Sequence, residues 1–120
     1  MLFSNQTEAL SAKYGLVRAV EIMIEAGYPA IDISMFDIHA CPFTDDYREV
    51  AAILKDMADK AGVKFVQAHA PFGGGYPRYL DELVPLFPRA FEFCRLLGIE
   101  NIVVHPVMKG HYYGNEQEHF

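Results

Sequence analysis

The sequence has no tryptophan and only two cysteines, Cys41 and Cys94. The two are far apart and neither belongs to a CxxC pair, so a disulfide framework and a dithiol redox motif are both excluded. Cys94 is predicted to pack on a helix and Cys41 to lie in a loop, as free thiols that behave like small hydrophobes usually do. Basic residues are also scarce: ten Lys and Arg stand against sixteen Asp and Glu, a net charge of −6. No basic run is present. Phosphate contacts need clustered Lys and Arg, so general nucleic-acid binding is disfavoured. No apolar stretch approaches the ~20 residues of a membrane span. The N-terminal MLFSNQTEAL has no basic segment and no long apolar core, unlike a secretory signal. A soluble, reducing, cytoplasmic setting is the expectation.

What is present is enough apolar material for a core. The 120 residues are 52% hydrophobic and 22% charged, which suits one packed domain and not a disordered chain. Strand-like and helix-like patterns alternate. MLFS is a short apolar start. Leu16, Ala19, Val20 and Met23 form one helical stripe, and Gly27 follows. AIDISM (Ala30 to Met35) alternates with period two and reads as a strand. Val50, Ile53, Leu54, Met57, Ala58 and Ala61 mark a second helix. Thr44 is its expected N-cap, with Asp45 and Asp46 at the positive end of the dipole, and Gly62 is its stop. VKFVQA (Val63 to Ala68) reads as a strand.

A third helical stripe runs through Leu80, Leu83, Val84, Phe87, Ala90, Phe91, Cys94 and Leu97. Pro85 and Pro88 interrupt it, because proline removes a backbone donor and clashes with the preceding turn. The prediction is a turn or kink near Tyr79 to Val84, then a firm helix from about Pro88 to Leu97. NIVVH (Asn101 to His105) is a near-continuous apolar run, as in a strand covered on both faces. A further helix is expected from Asn115. The order β-α-β-α-β-α-β implies a parallel α/β sheet. Two architectures fit: a doubly wound open sheet, or part of a (β/α)₈ barrel with about four parallel strands and flanking helices.

In both, function sits at the C-terminal strand ends. Those ends read Ser4-Asn5-Gln6, Met35-Phe36-Asp37-Ile38-His39, His69-Ala70-Pro71-Phe72 and His105-Pro106. Two exits share a form: an apolar strand, a His, and a Pro within two residues. A strand-end imidazole stands on rigid scaffold and can hold a divalent metal or hydrogen-bond a hydroxyl or carbonyl oxygen. The pattern points to a shared site without choosing metal or sugar. Asp37 and His39 read as a second polar pair or a solvated loop. Gly73-Gly74-Gly75 lacks both P-loop and dinucleotide spacing and reads as a hinge. Phe72 is a candidate pocket wall. Lys109, His111, Tyr112 and Tyr113 are candidate polyol or phosphate contacts, or an exposed loop.

The segments EAGYPAIDIS, KAGVKFVQAHAPF and LGIENIVVHP resemble βα junctions of the xylose-isomerase-like barrels. That family includes sugar phosphate isomerases and epimerases and endonuclease IV. The likeness runs from about Leu16 to Pro106. It implies a TIM barrel with a divalent metal (Mn, Mg, Zn or Co) acting as Lewis acid on a small sugar or polyol. In the isomerase branch the metal is held by Glu, Asp, His and Glu of later strands, and His69 and His105 shape the sugar site. In the endonuclease branch the matching histidines are zinc ligands. The expected substrate contacts are therefore His69, His105, Phe72 and Lys109. His69 and His105 become metal ligands only on the endonuclease reading.

The family's fifth-strand Glu and later ligands have no counterpart up to Phe120. The expectation is thus the N-terminal half of a barrel domain over residues 1–120, inactive by itself. Its unpaired sheet edges would favour self-association.

Overall fold

A computed structural model describes residues 3–107. Lys109, His111, Tyr112, Tyr113 and the helix expected from Asn115 lie outside the described residues. Four strands form one parallel sheet in the order β1-β2-β3-β4. These are β1 Ser4–Gln6, β2 Ala30–Ser34, β3 Lys64–His69 and β4 Ile102–Val103. The helices are α1 Glu8–Tyr14, α2 Leu16–Glu25, α3 Tyr47–Ala61, α4 Tyr76–Arg78 and α5 Phe87–Leu97. The strand order follows the chain without reversal. Helix α2 packs on α3 and α3 on α5, so the helices form one continuous layer. An α/β architecture with four parallel strands and flanking helices is therefore present.

The central strand explains the core. β2 is buried along its whole length. Ile31 and Ile33 enter one cluster with Val20 and Met23 of α2, Leu54 and Ala58 of α3, and Phe93 and Leu97 of α5. Asp32 and Ser34, one step out of phase, fall on the opposite side of the strand. The register with β3 shifts there. Ile31 pairs with Phe65 but Asp32 pairs with Gln67, so β3 holds one extra residue, Val66. The shift decides which face each side chain joins. Strict period two would put Phe65, Gln67 and His69 on one face. The bulge leaves Phe65 with Ile31 in the core and turns Gln67 and His69 toward the Asp32 side.

Some expectations need correction. The first strand is Ser4–Gln6, so Ser4-Asn5-Gln6 is the strand itself and not its exit. Helix α1 follows at once and has no buried residue, which is why no apolar stripe announced it. Thr44 does not cap α3. The preceding position is Asp46, without a side-chain cap bond, and the Thr44 hydroxyl donates to Asp46 Oδ1 at 2.6 Å. Two apolar stripes hold at Leu54, Ala58, Ala90, Cys94 and Leu97, which are buried, and fail at Ile53 and Phe91. Ile53 is 48% and Phe91 46% exposed, whereas Ala51 and Phe93 are buried.

The proline segment behaves as predicted. Between α4 and α5 the chain winds as a wide π turn over Tyr79–Leu83 and a tight 3₁₀ turn over Val84–Leu86. Pro85 lies in the tight turn, so the missing donor is met by a change of winding. Pro88 sits in the first turn of α5, where no intrahelical donor is needed. No helix among the described residues is long and apolar enough to cross a membrane.

Candidate functional site

The site grows from the polar side of β2 and β3. Asp32 is 4% exposed. A buried carboxylate has to be satisfied by hydrogen bonds, and two neighbours on β3 supply them. Gln67 Nε2 donates to Asp32 Oδ2 at 2.7 Å. His69 Nδ1 lies 2.9 Å from Asp32 Oδ1. A carboxylate only accepts, so the proton on that contact belongs to Nδ1. This fixes the ring and its tautomer and leaves the Nε2 lone pair for another partner. The pairing depends on the bulge, because only the shifted register sets Gln67 and His69 beside Asp32 and Ser34.

Aromatic rings gather around His69. Its ring and that of His105 stack with centroids 5.8 Å apart and planes 22° from parallel. Phe72 lies 4.5 Å from His105. Phe36 meets Phe72 edge-on at 4.8 Å and His69 at 5.9 Å. The structure thus brings together His69, His105 and Phe72, three of the four expected contact residues. Lys109, the fourth, lies outside the described residues. Phe36 and Asp32 complete the group. Asp32 was hidden in the sequence as the polar centre of a strand. Its signal was available: a lone acid in an otherwise apolar AIDIS must find a buried partner, and the nearby polar strand residues are Gln67 and His69.

β2 is anchored by Thr7, between β1 and α1. Thr7 is fully buried, its N–H donates to the Asp32 carbonyl at 3.0 Å, and its hydroxyl accepts the Ser34 N–H at 3.0 Å. A residue that reads as a helix cap instead ties the β1 exit to the strand carrying Asp32. The Ser34 hydroxyl has no hydrogen-bond partner among the described residues.

The weaker candidates are placed as follows. Asp37 and His39 are exposed, and Asp37 Oδ1 accepts the His39 backbone N–H at 2.9 Å, so this pair is a turn at the surface. The glycine loop is crossed by Arg78, whose guanidinium donates to the Gly73 carbonyl at 3.0 Å. Gly74, at φ +78°, passes so near Arg78 that a Cβ would sit 2.6 Å from its Cδ. The thiols are poor nucleophiles. Burial pushes Cys41 up to about 12 and Cys94 up to about 11, so both stay protonated at neutral pH. They form no disulfide.

The family resemblance assigns the metal to ligands on later strands. Among the described residues no group of three His, Cys, Asp or Glu side chains is arranged to hold one. Asp32 meets the Nδ1 of His69, as an orienting partner of a ligand does. What the group can do chemically is accept a hydrogen bond at His69 Nε2 and accept or donate one at the His105 ring, beside an apolar wall of Phe36 and Phe72. No protein-family model matches the chain, no curated protein matches it, and no solved structure matches it.

Proposed function

We propose that the chain is the N-terminal portion of a (β/α) barrel of the xylose-isomerase-like kind, and that His69, His105, Phe72 and Phe36 form one wall of a site for a small sugar or polyol. The observation that carries this is the Asp32–His69 pair. A buried carboxylate holds the imidazole by Nδ1 at a strand end, next to a second strand-end imidazole and two phenyl rings. A polyol offers alternating hydroxyls and a C–H face. Fixed imidazole nitrogens suit the first and aromatic rings the second.

The sequential strand order and the single helix layer support a barrel over a doubly wound sheet, in which the order reverses. In this reading the two unpaired edges, β1 and β4, pair with further strands. The protein alone is then expected to self-associate. The reaction class is a metal-dependent isomerisation or epimerisation, with Mn, Mg, Zn or Co held by residues beyond those described. The zinc-nuclease reading draws only on the two histidines. The acidic balance of −6 counts against it, since duplex binding needs cationic contacts.

The test is a binding panel of ketoses, aldoses, sugar phosphates and polyols, followed by calorimetry with and without each divalent metal. Binding of one sugar class is expected, weakened about tenfold in His105→Ala by loss of roughly one hydrogen bond and its stacking surface. A flat response across the panel would remove the proposal.

A further inference from the structure

Among the described residues the sheet stops at two edges, β1 and β4. Their side chains sort by face. Asn5 pairs with Ile31 and Gln6 with Asp32. Ser4 and Gln6 therefore fall on the Asp32 side, and Asn5 and the preceding Phe3 on the helix side. At the other edge Ala68 pairs with Ile102 and His69 with Val103. Val103 falls on the Asp32 side, where His105 joins it by stacking on His69. Ile102 and Val104 fall on the helix side. Each edge thus offers polar groups toward the site and an exposed apolar residue toward the helices, Phe3 at 66% and Val104 at 42% exposure. Beside Val104 lies a cleft of about 350 Å³ walled by Tyr76, Tyr79 and Leu80.

The register across the sheet says what fits between these edges. On the site side Gln6 stands level with Asp32, and Asp32 with Gln67. In the register that pairs Ala68 with Ile102, Gln67 stands level with Asn101. An eight-stranded parallel barrel closes with a shear of about 8 residues. Two identical halves take about 4 residues each, and the tilt of twisted strands runs the shift toward the C-terminal end of β4. Four residues beyond Asn101 is His105. A second copy would therefore set its Gln6 beside His105. The step is even, so polar residues stay on the site side and apolar ones on the helix side.

We propose that the partner of both edges is a second copy of this chain: β1 of each copy pairs in parallel with β4 of the other, the two close one eight-stranded barrel, and Gln6 of each copy completes the site at His105 of the other. The pairing is two-fold, since β1 meets β4 twice, and no edge is left over. Phe3 of one copy then covers Ile102 and Val104 of the other. The Gln6 amide both donates and accepts, so it supplies the site with a polar group that the His105 wall does not itself contain. The inference rests on the barrel reading above and adds to it the source of the missing strands.

The experiment needs no sugar. Sedimentation velocity of the 120-residue protein is expected to saturate at two chains, as a closed pair does. Gln6→Cys and His105→Cys variants are then mixed in equal amounts under mild oxidation. The mixture is expected to give a cross-linked pair, because neighbouring strands lie about 5 Å apart, within disulfide reach. Each variant alone should give none, since like positions face each other across the barrel, and these samples also control for Cys41 and Cys94. Gln6→Cys mixed with Asn101→Cys is the slipped control. Four residues along a strand are roughly 13 Å, beyond the ~7 Å limit for a disulfide, so cross-linking should be lost. Growth past two chains, a monomer at all concentrations, or a slipped pair that links as readily as the matched one overturns the proposal. A flat sugar panel beside a linked pair would remove the ligand and keep the dimer. Sugar binding by an open-ended assembly would do the reverse.

Discussion

At the scale of single residues, the Asp32 carboxylate sets the character of the site. It accepts from Gln67 and His69 in a position that water barely reaches. Removing it by Asp32→Ala strands a buried imidazole N–H and an amide, which is expected to cost about 2 kcal/mol in urea unfolding. Lys55→Ala is the contrast. Its pair with Asp59 is exposed on both sides, and the change should stay within about 0.5 kcal/mol. If the two variants lost the same stability, the Asp32 cluster would be a solvated contact and not a built one. Thr7 belongs to the same scale. Its hydroxyl holds the Ser34 N–H, so the strand that presents Asp32 is fixed by a residue twenty-seven positions away.

At the scale of elements, the chain uses left-handed glycines to stop α3 and α5 and to turn straight into the following strands. Gly62 ends α3 at φ +69°, and a Cβ there meets nothing within 4 Å. Gly62→Ala therefore isolates the backbone term and is expected to cost about 1 kcal/mol of unfolding free energy by chemical denaturation. A neutral result would mean that the α3–β3 turn relaxes to another conformation. The three longer helices and strands β2 and β3 were legible in the sequence because stripes, terminal glycines and period-two runs each carry a local signal, whereas β4 is only Ile102–Val103, half-buried, and not a run from Asn101 to His105 covered on both faces. So was the change of winding at Pro85, since a missing N–H acts on its own turn.

Other features were not legible, for physical reasons. Helix α1 buries nothing and so leaves no periodic trace. The bulge at Val66 is a property of two strands in register, and neither strand encodes it alone. Without it the partner of Asp32 is assigned to the wrong face. Phe93 and Phe91 lie two residues apart on α5, and only the position of the sheet decides which one is buried. Of the candidate site, the two histidines and Phe72 were visible as strand-exit residues. Phe36 stood in a strand exit without a role, and the partners of Asp32 appeared only once β2 and β3 were paired.

At the scale of the whole molecule, one layer of helices covers one side of a parallel sheet. The opposite side carries Asp32, Ser34, Gln67 and His69. Among the described residues the sheet ends in β1, exposed throughout, and in β4, which pairs only with β3. Open parallel edges are templates for further strands. Large apolar side chains lie near both: Phe3 is 66% and Val104 42% exposed. Sedimentation velocity of the 120-residue protein should show concentration-dependent association, and charged replacements at Phe3 and Val104 should reduce it. A single monomer species at all concentrations would count against a sheet that needs more strands.

In the proposed site Asp32 holds His69 by Nδ1 so that Nε2, together with the His105 ring, receives a sugar or polyol hydroxyl. Long-range ¹H–¹⁵N spectra of the two imidazoles, recorded during titration with the sugar class that the binding panel selects, report this arrangement. His69 is expected to carry its proton on Nδ1 before and after binding, its Nε2 signal to move with the ligand together with a ring signal of His105, and Asp32→Asn to abolish the fixed tautomer. A proton resident on Nε2 of neutral His69, or imidazole signals that stay still while the sugar binds elsewhere, would contradict it.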